Sequence, residues 1–134
     1  MPTTTTLLYD ADCGICRWLL SKILAWDRDG VLRPVPIQSE EGGRLLADLS
    51  EGERMASWHL IDPDGIRHSA GAGLPQLFRR LPGGAPLAAI TDRAPRVSER
   101  GYRWVADHRS RLAKPLTDGA RRRADERIAA RRRS

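Results

Sequence analysis

The stretch "LLYDADCGICRW", residues 7–18, contains the only two cysteines of the chain, Cys13 and Cys16, together with the aspartates Asp10 and Asp12. Thiols and carboxylates carry redox, metal and acid–base chemistry, and here four of them fall within seven consecutive positions. A hydrophobic run precedes this cluster and a helical pattern follows it. The cluster is therefore predicted to lie at the junction of a strand and a helix.

Strand and helix patterns can be followed outward from this junction. Residues 4–9, "TTTLLY", are β-branched, aromatic and leucine residues that predict a short strand ending at Asp10. From Cys13 onward, apolar residues recur at helical spacing until a stop at residues 27–30. Further strands are predicted at residues 31–37, 56–61 and 66–70, and further helices at residues 39–49, 74–81 and 95–115.

The order of these elements, β-α-β-α-β-β-α-α, shows no internal repeat and predicts an α/β fold. The simplest sheet is small and mixed, with a parallel β-α-β start, an antiparallel hairpin and helices on both faces. Pro34 and Pro36 favour an edge position for the second strand, since proline lacks the amide that a central strand needs. At 134 residues the chain is long enough for one such domain.

Charge divides the chain unevenly. Residues 114–134 hold eight basic and three acidic side chains, whereas the other 113 residues hold fifteen and fourteen. Ile128 is the one large apolar residue after Leu116, which is too little for this segment to fold alone. We therefore predict a domain at residues 1–113 and a basic tail at residues 114–134 that is disordered or a frayed helix. The tail is expected to make a weak, salt-dependent contact with nucleic acid or anionic lipid.

The sequence shows no membrane or export signal. No run approaches the roughly 18 apolar residues of a membrane span. The start, "MPTTTTLLYD", has neither the basic n-region nor the apolar h-region of a secretory signal. A cytoplasmic location is therefore expected, where a disulfide is more often transient and catalytic than structural.

The spacing of the cysteine pair suits disulfide exchange. On the first turn of a helix, Cys13 and Cys16 would have their Cα atoms roughly 5–6 Å apart, within reach of a disulfide. The free amides and the dipole at the helix N-terminus favour a thiolate at Cys13. Cys16, one turn further on, is expected to be more shielded. We therefore predict Cys13 as the nucleophile and Cys16 as the resolving thiol.

Four other interpretations of the pair remain open. A zinc site would need further ligands from the three histidines, whose spacing fits no compact finger. A c-type haem site would need histidine where Arg17 stands, and an iron–sulfur cluster would as a rule need four cysteines. The cysteines could also be small core residues without chemistry. The hypothesis that we carry forward includes no metal and no cofactor.

The two aspartates have distinct expected roles. Asp12 stands directly before Cys13, where it is predicted to cap the helix by accepting backbone amides near Ile15. Asp10 lies at the end of the predicted strand, on the same side as Asp12. If it is partly buried, Asp10 is predicted to accept the proton of Cys16 during the resolving step. The alternative role for Asp10 is that of a turn-forming side chain.

The opening "LLYDADCGIC" resembles that of the DCC family of thiol-disulfide oxidoreductase-like proteins, named after an Asp-x-x-Cys-x-x-Cys motif. The motif positions are occupied by Asp10, Cys13 and Cys16. Tyr9 precedes the motif, as is common in the family. The resemblance continues through "SWHLIDPDGIRHSAGAGLPQLFRRL" to "GYRWVADHRSRL", which is similar to a C-terminal Tyr-x-x-Val-Ala-x-Asn-Arg signature ending at Arg109. It covers residues 5–113.

This resemblance implies a thioredoxin-like fold and exchange with a disulfide-containing or dithiol substrate, either a protein or a small molecule. Tyr9, Asp12 and Arg109 are expected to support the site; a guanidinium beside the cysteines would favour a thiolate. The family usually has glycine where Ala11 stands. If that position requires a positive φ, alanine costs on the order of 1 kcal/mol there.

Two classes of function follow from these observations. The first is a thiol-disulfide oxidoreductase that uses the Cys13–Cys16 pair. The second is a non-catalytic redox-sensing or binding protein whose basic tail docks to nucleic acid or to an anionic membrane. The rate at which one thiol is alkylated at neutral pH would separate the two classes. The sequence does not define an oligomeric state.

Overall fold

A parallel β-α-β unit opens the fold. The computed structural model describes residues 4–133 of the chain. Its strands are β1 (Thr5–Tyr9), β2 (Leu32–Pro36), β3 (His59–Ile61) and β4 (Arg67–Ser69). β1 pairs in parallel with β2 and antiparallel with β3, which pairs antiparallel with β4, so the order is β2-β1-β3-β4. The predicted mixed sheet and thioredoxin-like α/β fold are thus confirmed.

Eight α-helices and one short 3₁₀ helix, Ala70–Gly73, are formed within residues 4–133. The α-helices are α1 (Gly14–Trp26), α2 (Glu40–Leu45), α3 (Glu51–Ala56), α4 (Leu74–Arg80), α5 (Ala85–Arg93), α6 (Pro95–Asp107), α7 (Arg109–Ala113) and α8 (Asp118–Arg133). Three of them, α3, α5 and α8, are additional to the predicted helices. In the described part of the chain, no helix is both long enough and apolar enough to span a bilayer.

Helices cover both faces of the sheet because successive side chains of β1 point to opposite sides. One buried cluster comprises Leu7, Tyr9, Leu20, Leu24, Leu32, Leu60, Leu77, Leu81 and Ile128, from the sheet, α1, α4, the residue after α4, and α8. The other comprises Leu8, Val35, Ile37 and Leu46 and lies against α2 and α3. The carboxyl ends of β1 and β2 are left together at one edge of the domain, which is where the cysteines lie.

The edge position predicted for β2 is also confirmed. Pro34 and Pro36 both lie in this strand, which pairs only with β1 among the described strands. The chain then turns directly into α2, whose N-cap, Ser39, accepts a hydrogen bond from the Gly42 amide. A Cβ atom on Gly42 would lie 2.4 Å from the Pro36 carbonyl oxygen. Gly42 therefore permits this close approach, which fixes the backbone of Gln38 between the strand and the helix.

The C-terminal segment is where the structure differs most from the prediction. Residues 114–134 were expected to be disordered or a frayed helix, but Asp118–Arg133 form a continuous helix, α8, packed along α1 and β2. Ile128 is only 4 % exposed and belongs to the core. The predicted disorder is therefore wrong for the described residues, because the segment folds against the body rather than alone. Ser134 lies outside the described residues, and the domain boundary at residue 113 stays a prediction.

A buried ion pair holds the end of α8 in place. The Asp27 side chain is 0 % exposed, and its carboxylate accepts hydrogen bonds from the Val31 and Leu32 amides at 3.1 and 2.9 Å. Arg131 donates to this carboxylate at 2.6 Å and also to the carbonyl oxygens of Leu24, Asp27 and Leu32. The guanidinium of Arg131 thus donates to acceptors from α1, from β2 and from the turn between them.

α8 runs parallel to α1, with contacts from the first turn of α1 to its last turn. Near its start, Arg121 lies 4.0 Å from the point where Gly14 would carry a Cβ atom. One turn further on, Asp125 forms an ion pair with Arg17 at 3.0 Å. At the far end, Arg131 reaches Leu24. The first turns of both helices therefore lie at the same end of the domain.

His59 is a buried histidine with a fixed tautomer. It is 2 % exposed in β3, where its Nε2 lies 3.0 Å from the Arg54 carbonyl oxygen and its Nδ1 lies 2.7 Å from the Ser69 hydroxyl. A carbonyl oxygen can only accept, so Nε2 carries the hydrogen and Nδ1 accepts from Ser69. Burial, followed by the charge of Arg67, lowers the pKa of His59 below 6.5, whereas the bond to Arg54 acts against this. His59 is therefore neutral in the folded protein at neutral pH.

This histidine predicts a pH dependence of stability. An unfolded histidine binds a proton below about pH 6.5, whereas folded His59 resists it, so the free energy of unfolding falls as pH is lowered through that range. Urea unfolding midpoints between pH 7.5 and 5.5 should show this decline, and His59→Gln should flatten it. His108→Gln serves as the matched control and should keep the decline. A slope that survives in His59→Gln would contradict the assignment.

Candidate functional site

Cys13 is the N-cap of α1. Its backbone is extended, with φ −98° and ψ 112°, and its Sγ accepts a hydrogen bond from the Cys16 amide at 3.3 Å. Asp12, which was predicted as the cap, is exposed instead, and that prediction is wrong. The Asp12 amide is held by the Asp10 carboxylate at 2.9 Å, so the turn extends one residue further before the helix begins. The sulfur, rather than a carboxylate, therefore occupies the start of the helix.

Cys16 lies one turn further along, partly buried and in hydrogen-bonding contact with the Cys13 thiol. Burial raises the pKa of Cys16 to about 12, assisted by the bond to Cys13 and by the charges of Cys13 and Asp10. The charge of Arg109 acts in the opposite direction. Both cysteines are free thiols in this structure. At neutral pH, Cys16 therefore holds its proton beside the sulfur that caps the helix.

Asp10 lies next to the cysteine pair, and its two carboxylate oxygens have different partners. Its side chain is 16 % exposed. Oδ1 accepts hydrogen bonds from the Asp12 amide at 2.9 Å and from Gln38 Nε2 at 2.7 Å. Oδ2 faces Arg109, whose guanidinium lies 3.8 Å away. The structure thus brings together Asp10, Arg109 and both cysteines, four of the six residues predicted for the site, with Asp12 at its exposed rim.

Tyr9, the remaining predicted residue, lies on the other side of β1. It is 6 % exposed in the core cluster and lines a shallow groove with Arg17, Asp125 and Arg132. Burial raises the pKa of Tyr9. Its ring supports the packing of α1 and α8 and does not join the Asp10 cluster.

The sequence reasoning missed Gln38. Its Oε1 accepts the Ala11 amide at 3.1 Å, while its Nε2 donates to Asp10 and lies 3.5 Å from Asp12 Oδ2. One signal could have identified it: Gln38 follows β2 as Asp10 follows β1, and the carboxyl ends of parallel strands meet at one edge. A polar residue directly after the second strand was therefore a candidate for the site.

Tyr102 of α6 also reaches this region. Its hydroxyl accepts a hydrogen bond from the Trp58 amide at 2.9 Å, which ties α6 to the residue that precedes β3. Burial raises the pKa of Tyr102, and the neighbouring Cys16 adds to this effect. The phenol thus forms part of the wall beside the second thiol.

Two further expectations can be compared with the structure. Ala11 does not adopt a positive φ; among the non-glycine residues described, only Ala70 does, with φ 53°. The alanine in the family's glycine position therefore carries no left-handed strain here. In residues 4–133, no group of three or more His, Cys, Asp and Glu side chains is arranged to hold a metal ion. The zinc interpretation thus gains no support from the arrangement of these side chains.

A thioredoxin-like sheet whose first helix begins at a Cys-x-x-Cys pair defines a class of proteins that exchange thiols and disulfides. Residues 7–115 match the family described as DCC1-like thiol-disulfide oxidoreductase. This match spans most of the chain, which therefore belongs to the DCC1-like thiol-disulfide oxidoreductase family. Family membership supports a thiol-disulfide oxidoreductase role. No curated protein and no solved structure matches the chain significantly.

Proposed function

We propose that this chain is a thiol-disulfide oxidoreductase in which Cys13 is the nucleophile, Cys16 the resolving thiol and Asp10 the proton acceptor. The observation that supports this most directly is the place of the Cys13 sulfur at the N-cap of α1, in contact with Cys16. Backbone amides at a helix start stabilise a thiolate. A partner thiol with a pKa of about 12 stays protonated until the exchange requires it.

The proposed cycle conserves atoms and electrons. The Cys13 thiolate attacks one sulfur of a substrate disulfide, the substrate S–S bond breaks, and one substrate thiolate leaves. The Cys16 thiol then transfers its proton to Asp10 and attacks the Cys13 sulfur, which releases the second substrate thiolate. The substrate gains two electrons, and the chain is left with a Cys13–Cys16 disulfide. A dithiol donor would reverse these steps and restore the enzyme.

The same geometry supports roles for the residues around the pair. Arg109 neutralises part of the Asp10 charge and favours an ionised Cys16 during its attack. The substrate class is a disulfide-containing or dithiol protein or small molecule, and the cycle requires no bound cofactor. We propose the cytoplasm as the compartment, since a disulfide formed in this cycle would be transient there.

The proposal is tested by the reduction of insulin with dithiothreitol as electron donor. The wild-type protein should accelerate precipitation of the insulin B chain, and Cys13→Ser should return the rate to that of dithiothreitol alone. Circular dichroism of both proteins would establish that the variant is folded. Equal activity of the two proteins would overturn the assignment of Cys13.

Alkylation kinetics separate this proposal from the non-catalytic alternative. With iodoacetamide at pH 7, the wild-type protein should show one thiol that reacts at least tenfold faster than a free cysteine, whose thiol is mostly protonated at that pH. This fast reaction should be absent in Cys13→Ser. A rate no faster than that of a free cysteine would instead favour a structural or sensory disulfide.

A further inference from the structure

We infer that Gln38 is a positioning residue that holds the Asp10 carboxylate in the orientation needed to take the proton of Cys16. This inference rests on the proposed function and deepens it. It is based on the hydrogen bonds of one side-chain amide, which lies at the carboxyl edge of the sheet. These bonds join Gln38 to Ala11, Asp10 and Asp12, and not to either cysteine sulfur.

Both polar atoms of the Gln38 side-chain amide form hydrogen bonds. Its Oε1 accepts the Ala11 backbone amide at 3.1 Å, and its Nε2 donates to Asp10 Oδ1 at 2.7 Å. A side chain with only acceptors could not make the second bond, and one with only donors could not make the first. Gln38 thus joins the backbone of the Asp10–Cys13 turn to the carboxylate that this turn carries.

The bonds to Oδ1 distinguish the two oxygens of Asp10. Oδ1 accepts from both Gln38 and the Asp12 amide. Within residues 4–133, Oδ2 is paired with the Arg109 guanidinium at 3.8 Å, a distance longer than a hydrogen bond. Oδ2 therefore keeps the capacity to receive a proton, and the restraint on Oδ1 keeps the carboxyl plane from rotating.

A fixed base matters here because Cys16 resists ionisation. The charged and titratable groups around this thiol are Cys13 at the N-cap of α1, Asp10 on the preceding turn, Arg109 on α7 and Tyr102 on α6. Cys13 and Asp10 oppose the thiolate, and Arg109 favours it. Burial raises the pKa of Cys16 well above neutral, so this thiol is protonated at pH 7. Resolution at neutral pH therefore depends on a base held within reach.

The test uses 5,5′-dithiobis(2-nitrobenzoate) with an equal amount of reduced protein. Attack by Cys13 releases the first coloured thiolate, and resolution by Cys16 releases the second, so stopped-flow absorbance resolves the two steps. Gln38→Met keeps the side-chain length and removes both the acceptor and the donor of the amide without adding charge. Gln76→Met, at the α4 glutamine that bonds Arg80, is the matched control.

Gln38→Met should slow the second release about tenfold at pH 7 and change the first by less than twofold. The deficit should shrink as pH rises, because solvent then removes the Cys16 proton without Asp10. In an Asp10→Asn background, Gln38→Met should cause no further loss, since the group that it positions is gone. Gln76→Met should match the wild type in both phases.

Three results would overturn the inference: an unchanged second phase in Gln38→Met, an equal slowing of both phases, or a full additional loss in the Asp10→Asn background. Failure of the proposed function would look different. In that case the wild-type protein itself would end as a mixture of aryl adducts, rather than as the species 2 Da lighter that an internal disulfide gives.

Discussion

Replacing Cys16 with serine is expected to stop turnover and to leave the protein covalently joined to its substrate through Cys13. The substitution keeps the nucleophile at the start of α1 and removes the thiol that lies in contact with it. The mixed disulfide then has no internal thiol to resolve it, so it should persist. Intact-mass spectrometry under non-reducing conditions should find one aryl thiolate or one substrate cysteine bound per chain.

The matched control for this experiment is Cys13→Ser. Its remaining thiol is partly buried and has a raised pKa, so it should react slowly and give little adduct on the same timescale. The insulin assay should give background rates for both variants, while only Cys16→Ser accumulates the adduct. The reverse pattern, with rapid capture by Cys13→Ser, would show that the two roles are exchanged.

Replacing Arg131 with leucine is expected to lower the free energy of unfolding by about 3–5 kcal/mol. Asp27 is fully buried, and the substitution would leave its carboxylate with the backbone amides of Val31 and Leu32 as donors but without a countercharge from Arg131. Three carbonyl oxygens would lose a donor as well. Leucine and arginine have similar helix propensity, so the loss would reflect the ion pair and not the helix. Urea unfolding with a two-state fit measures it.

Arg122→Leu is the control for helix, charge and hydropathy, since Arg122 is an exposed arginine of the same helix. It should change the free energy of unfolding by no more than about 0.5 kcal/mol. Arg131→Lys should fall between the two, because an ammonium cannot reproduce the planar fork that reaches Asp27 and the carbonyl oxygens together. If Arg131→Leu were as stable as Arg122→Leu, α8 would not be held by this pair.

Local sequence patterns were sufficient for the first half of the fold. The alternation from strand to helix to strand around Cys13 depends on neighbouring residues, and it predicted β1, α1 and β2. Pro34 and Pro36 correctly placed β2 at the edge, since the missing amide of a proline is a local fact. The helix that starts at the cysteine pair could likewise be predicted from residues 13–26 alone.

The cap of α1 shows where local patterns are insufficient. Asp12 has the better side chain for a cap, yet its amide is engaged by Asp10, and the sulfur of Cys13 takes the position instead. Which residue becomes the N-cap is determined by the turn at residues 10–13. This turn is restrained by Gln38, which is 26 residues away from Asp12 in the sequence. Such a contact depends on which strand ends meet, and periodicity does not give that register.

The docking of α8 was unpredictable for a related reason. Its sequence is rich in arginine and alanine, and Ile128 alone offers a large apolar side chain to the core. Much of what holds it is polar: Arg131 fills acceptors that α1 and β2 leave buried, and Arg17 pairs with Asp125. From composition alone these charges are expected to be solvated, because composition contains no information about the acceptors that the folded body of the protein presents.

The parallel course of α1 and α8 has a practical consequence for constructing fusions. α1 has 13 residues and is therefore about 20 Å long, and the last turn of α8 lies at the end of α1 that is far from the sulfurs. A reporter or carrier domain attached beyond that turn would start roughly that distance from the cysteines. Such an attachment leaves the approach to them open, whereas one at the beginning of α8 would crowd it.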